Sequence, residues 1–170
     1  MKVILFMAIS ANGFIATTSG GEDFLSPVGW TNLIKYSRNT GCLVWGRKTY
    51  EAVIGWGGHY LTDLEGVKKV ILSHQDINLI NGYDLANSPQ EALRLLQDNG
   101  FNQVIITGGA TLNSEFARRG LIDEVILDVN PAILGQGIPL FLPSDFQLDL
   151  KLLKMTRLDQ NVVELHYQVI

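Results

Sequence analysis

Leu43-Val44-Trp45-Gly46-Arg47-Lys48-Thr49-Tyr50-Glu51 decides the fold class: a continuous apolar strand stops at a glycine and a helix follows at once. Val104-Ile105-Ile106-Thr107-Gly108-Gly109-Ala110-Thr111-Leu112 repeats the design. Glycine at such a turn lets a ligand approach the backbone closely. The helix start offers unpaired N–H groups and a positive dipole end, which together bind phosphate. Arg47 and Lys48 add fixed positive charge to the first turn only. An ordinary tight connection accounts for either segment alone. Two in one small domain, one of them basic, point to a ligand with two separated phosphate groups.

Working outward, the chain reads as alternating strands and helices. Val3–Ile9 is a buried strand, Ser10–Ser26 a glycine-rich loop, and Val28–Arg38 a helix with Leu33, Ile34 and Tyr36 inward. Leu43–Trp45 is a strand, Lys48–Val53 a helix, Trp56-Gly57-Gly58 a loop, and Lys69–Leu72 and Tyr83–Ala86 strands. Ser88, Pro89 and Glu91 form a helix start of the capping-box type, and Asn99-Gly100 ends that helix. Gln103–Thr107 is a strand, Leu112–Arg119 a helix and Glu124–Asn130 a strand. Lys151–Leu158 and Val162–Val169 flank Asp159-Gln160-Asn161 as a closing hairpin. The alternation predicts one α/β domain over residues 1–170, with a mainly parallel central sheet flanked by helices and a C-terminal antiparallel hairpin at its edge.

Composition narrows the function classes. Hydrophobic residues make up 46% and charged residues 18% of the chain, enough for a real core. The net charge of −4 repels nucleic acid, so an anionic ligand must be held by local groups. The apolar run after Lys2 suits a buried strand better than a signal peptide, and no segment reaches the ~20 apolar residues of a membrane helix. The single cysteine, Cys42, excludes an intrachain disulfide and reads as a buried thiol. These features predict a cytoplasmic protein with no nucleic-acid or membrane partner.

Other chemistry is sparse. His59, His74 and His166 have no metal-site spacing, and His166 reads as structural. No serine sits in a G-x-S-x-G elbow. Gly41 to Thr49 fails as a P-loop, because Arg47 displaces the lysine and a strand lies between the glycines. No G-x-G-x-x-G follows the first strand, which argues against a standard Rossmann site.

Four blocks carry a resemblance. They are Ser10-Ala11-Asn12-Gly13-Phe14-Ile15-Ala16; Gly46-Arg47-Lys48-Thr49-Tyr50-Glu51; Thr107-Gly108-Gly109-Ala110 with Phe116; and Gly120-Leu121-Ile122-Asp123-Glu124 through Asn130-Pro131 to Gly135-Gln136-Gly137 and Pro139-Leu140-Phe141. In this order the chain resembles the dihydrofolate reductase superfamily, including the reductase domain of riboflavin biosynthesis, over nearly its whole length. The resemblance implies a dihydrofolate reductase-like fold and NADPH across the carboxyl ends of the central strands. It implies that Ala8, Ile15 and Ala16 line the nicotinamide. Gly46, Arg47, Lys48 and Thr49 would hold the pyrophosphate and 2′-phosphate side, and Ser73 would lie near the adenosine phosphate. Gly108, Gly109, Ala110, Thr111 and Leu112 would form the second phosphate turn, with a cis peptide between the two glycines. Leu33, Tyr36 and Val53 would contact substrate.

The departures concern the substrate. Asn32 stands where dihydrofolate reductases carry a helix carboxylate, and an amide has no usable acid form. Val67 replaces the arginine that grips the folate tail, although Lys68 and Lys69 adjoin it. Asn113 replaces an aromatic residue, Asn12 an aspartate of the riboflavin-type enzymes, and the segment after Glu51 lacks their Asp-Asn-Pro stretch. Asp128 matches a hydroxyl position facing the helix carboxylate, so Asp128 and Asn32 form a candidate swapped catalytic pair, or Asp128 is a strand-end residue on a polar face. Glu22 and Asp23 are further carboxylates in the long loop.

The leading expectation is an NADPH-dependent reductase of a pterin C=N bond, with dihydrofolate as substrate and Asp128 as proton donor. On that basis Asn32→Asp should be tolerated or raise activity. The alternative is a riboflavin-pathway reductase of a ribosylamino-pyrimidine phosphate; a third reading is a non-catalytic NADPH-binding module. The partner is a small heterocyclic substrate, and the mixed motifs allow a monomer or a homodimer.

Overall fold

The computed structural model describes all 170 residues. In chain order the elements are β1 (Lys2–Ser10), β2 (Phe14–Ala16), α1 (Pro27–Thr40), β3 (Cys42–Gly46), α2 (Arg47–Trp56), α3 (His59–Thr62), β4 (Lys68–Leu72), β5 (Tyr83–Ala86), α4 (Pro89–Asp98), β6 (Gln103–Ile106), α5 (Ala110–Arg118), β7 (Glu124–Asn130), β8 (Ile138–Pro139), β9 (Leu150–Arg157) and β10 (Val163–Val169). Eight strands form one sheet in the order β5-β4-β3-β6-β1-β7-β10-β9. Pairing is parallel from β5 to β7. It turns antiparallel at β7–β10 and β10–β9, as the closing hairpin predicts.

Strand periodicity divides the core in two. Val3 and Leu5 of β1, Cys42 and Val44 of β3, and Val104 and Ile106 of β6 face α4 and α5. Ile4 and Phe6, Leu43 and Trp45, and Ile105 face the other way, against α1 and α2. Both faces of the central strands are therefore buried, which is why they read as continuous apolar runs.

The element boundaries differ from the sequence expectation at helix starts. Helix α1 starts one residue early, because Pro27 takes the first helical position and the Ser26 side chain accepts from the Val28 N–H. Helix α5 begins directly after Gly109 rather than at Leu112. The long loop also contains β2, which pairs with β8 to form a separate two-stranded sheet. Gly137 permits that approach: a Cβ there would lie 2.5 Å from the Ala16 carbonyl oxygen. No helix is long and apolar enough to cross a membrane.

Candidate active site

Adjacent strands β3 and β6 send their helices to opposite faces of the sheet. Tyr50 and Val53 of α2 join one core, and Leu112 and Phe116 of α5 join the other. In open α/β sheets such a switch point leaves a ligand-binding crevice outside the carboxyl ends of the strands. A cavity of about 710 Å³ opens there, floored by Phe6, Met7, Ala8, Trp45 and Thr107 and walled by α1.

The two glycine turns meet at its edge. The Gly46 N–H donates to the Gly108 carbonyl at 2.7 Å, which ties one turn to the other. Gly108 has φ +78°, a region that favours glycine, and the Gly108–Gly109 peptide is cis, as the resemblance implies. Neither α2 nor α5 has a side-chain cap at its N-terminus. Their first-turn N–H groups remain available to an anionic ligand.

Of the expected site residues, Ala8, Ile15, Leu33, Thr49, Val53, Gly108 and Gly109 line the cavity. The structure places the others elsewhere. Ala16 is buried in the β2–β8 pairing. The Gly46 N–H is already used by Gly108. Arg47 is half-buried at the start of α2 and bonds Glu51 at 2.6 Å, and Lys48 is exposed. The Ser73 hydroxyl closes a local turn with the N–H and carbonyl of Gln75. Ala110 and Leu112 are buried in the core and Thr111 is exposed, so this helix start can meet a ligand through its backbone.

The expected catalytic pair is real as a contact but does not face the cavity. Asp128 is fully buried on β7, in register with Ala8 on one side and Glu164 on the other. Asn32 Nδ2 donates to Glu164 Oε2 at 2.7 Å and to both Asp128 oxygens at 3.1–3.2 Å. Tyr36, expected at the substrate, instead donates its hydroxyl to Glu164 Oε2 at 3.0 Å. A Cβ on Gly29 would come within 3.2 Å of the Ala8 Cβ and 3.9 Å of Asp128 Oδ2. Helix α1 thus passes close over β1, and its backbone covers Asp128. Asp128 and Asn32 do not line the cavity; they form a buried clamp that fixes the helix lining it. Glu164 escaped the sequence reading because its strand reads as an ordinary hairpin edge; its alternation between Val163 and Leu165 was the available signal.

Burial pushes the Asp128 carboxyl up to about 7; the Asn32 hydrogen bond opposes the rise and the Glu164 charge adds to it. The same surroundings raise the Tyr36 hydroxyl. Because Asp128 lies above its ordinary value of 3.8, the folded protein keeps a proton that the unfolded chain releases. Its contribution to stability is therefore best below about pH 4, declines as pH rises toward 7 and is level beyond, a loss on the order of 4 kcal/mol at most. Asp128→Asn is expected to remove that decline, so melting temperatures between pH 4 and 8 should vary less than in the wild type. An unchanged slope would refute the assignment.

The carboxylates that do reach the cavity are Glu22, Asp23 and Asp63. Burial of the Glu22 carboxyl raises it to about 7. The side chain as a whole is exposed, so solvent limits that rise. Trp30, Trp56, His59 and Tyr60 line the cavity beside Asp63, and none was singled out as a ligand contact from the sequence.

Comparison with known proteins agrees with this architecture. A family model for the RibD C-terminal domain matches residues 1–164. The Bacillus subtilis protein YwjB is 31% identical, with 98% of this chain and 97% of that protein covered. A Shewanella sp. PV-4 protein assigned to riboflavin biosynthesis shares the fold with a TM-score of 0.84 at 24% identity, covering 100% of this chain and 99% of that one. Acinetobacter baumannii RibD matches with a TM-score of 0.78 at 26% identity over 99% of this chain, which spans 58% of the RibD chain. Fold, switch-point cavity and paired glycine turns place these residues in one group: the chain belongs to the RibD C-terminal domain family.

Proposed function

We propose that the chain is an NADPH-dependent reductase of the riboflavin-pathway pyrimidine type, passing hydride to the ribosylamino side chain of a pyrimidine. The observation that carries the reading is the crevice where two uncapped helix starts are tied together by the Gly46–Gly108 hydrogen bond. The family match and the RibD structures support it. They do not support the leading expectation of dihydrofolate, and the cavity wall offers no cation for a folate tail.

The residues present fit a dinucleotide. The N–H groups at the starts of α2 and α5 would hold its phosphates, and Gly108 keeps a Cβ out of the space beside Met7 and Thr49. When bound, NADPH supplies the hydride. Phe6, Trp45 and Leu33 shape the floor and wall of the crevice and exclude water from it. Glu22, raised toward neutrality at the cavity edge, can hold a proton for the acceptor nitrogen.

The test is steady-state NADPH oxidation with the aminopyrimidine acceptor and, separately, with dihydrofolate. Turnover of the pyrimidine alone is expected. NADPH binding with turnover of neither would favour a non-catalytic module. Replacing both Arg47 and Lys48 with Ala should weaken NADPH about tenfold more than NADH, because a basic pair at a helix start is suited to a 2′-phosphate. Equal losses would reject that role.

A further inference from the structure

The aromatic end of the cavity has an unusual chemistry for an enzyme family that handles phosphorylated pyrimidines. A Thermotoga maritima structure of this fold is named as a reductase of 5-amino-6-(5-phosphoribosylamino)uracil, a substrate carrying a phosphate. In this chain no lysine or arginine lines the cavity. Its acidic wall groups are Glu22, Asp23 and Asp63, and His59 is the sole titratable base. A cleft lined by one sign of charge, with apolar walls, focuses its field and repels ligands of that sign. A phosphate dianion would find no cationic side chain to pair with there.

The same end is built for a flat ring. Tyr60 packs edge-on against Trp30 at 4.9 Å and lies 5.1 Å from Trp56, centroid to centroid. Asp63 is fixed beside them, because its Oδ2 accepts the Trp30 indole N–H at 3.0 Å. That bond leaves Oδ1 for a donor on a ligand. Aromatic surface with a few placed polar groups is the usual make-up of a heterocycle site.

We propose that the acceptor is a planar, phosphate-free nitrogen heterocycle, neutral or cationic, held against Trp30, Trp56 and Tyr60 with an amino group donating to Asp63. This rests on the reductase reading for the chemistry, but the binding preference can be scored without turnover. The probes are 5-amino-6-(ribosylamino)uracil and its 5′-phosphate, titrated into NADPH-loaded protein and followed by tryptophan fluorescence. The phosphate-free compound should bind at least about tenfold more tightly, and Asp63→Asn should weaken it by about tenfold while leaving the NADPH affinity unchanged. Equal or tighter binding of the 5′-phosphate overturns the proposal, as does binding of neither. If the phosphate-free compound binds as expected but NADPH is not oxidised, the ligand class stands and the reductase reading fails.

Discussion

Asn32→Asp is expected to destabilise the fold by about 3–5 kcal/mol at pH 8, the cost of leaving buried charge uncompensated. The Asn32 amide is the shared donor of the clamp: one N–H goes to Glu164 and the other is divided between the Asp128 oxygens. A carboxylate in its place removes both donors and sets a third acid among two that are already buried. The three could coexist only by taking up protons, so the deficit should shrink as the pH is lowered to about 5. Urea unfolding at the two pH values measures this directly. A variant within about 1 kcal/mol of the wild type at pH 8 would show that Asn32 does not bridge the carboxylates. This outcome reverses the expectation drawn from the sequence, that an aspartate at position 32 would restore a catalytic acid.

The surroundings of Asn32 and Asp128 show where the sequence stops being legible. The parallel sheet could be read because each central strand is apolar on both faces and each is followed by a helix with its own start signal. Ser88-Pro89 with Glu91, and Gly46 before Arg47, are local signals, and the structure follows them. The cis Gly108–Gly109 link followed from motif order. The Asn32–Asp128 contact also followed, since both positions were matched to a facing pair. What could not be read was depth. Whether Asp128 looks into the cavity or lies beneath it depends on how closely α1 crosses β1. That distance is set by the absence of a side chain at Gly29, a residue with no distinguishing sequence context.

The aromatic end of the cavity was illegible for a related reason. Trp30 lies on α1, Trp56 ends α2, and His59 and Tyr60 form the short helix α3. They come together only because Gly57 and Gly58, both at positive φ, turn the chain back after α2. The sequence reading stopped at those glycines and assigned a loop. Conversely, Arg47 and Lys48 drew attention through charge at a helix start, yet neither lines the cavity that the same turn borders. Motif type located the backbone of the site; the side chains that define its ligand came from tertiary packing.

Gly108→Ala is the second large effect, expected to lower kcat/KM roughly a hundredfold while the protein stays folded. The position combines a left-handed backbone with a crowded approach. At φ +78° any L side chain is strained, and the added Cβ would lie 3.3–3.4 Å from Met7 and Thr49. Met7 and Thr49 both line the cavity, so the relief of that contact is a displacement of its wall. The Gly108 carbonyl also accepts from the Gly46 N–H, so a shift of this residue moves both glycine turns relative to one another. A dinucleotide that must meet both helix starts at once would lose alignment even if each turn kept its own shape. Gly55→Ala is the matched control: it adds a methyl group to α2, where nothing lies within 4 Å. Circular dichroism should show both variants folded, with only Gly108→Ala losing NADPH affinity and turnover. If Gly108→Ala kept kcat/KM within about threefold of the wild type, the turn would have no close role in holding the cofactor.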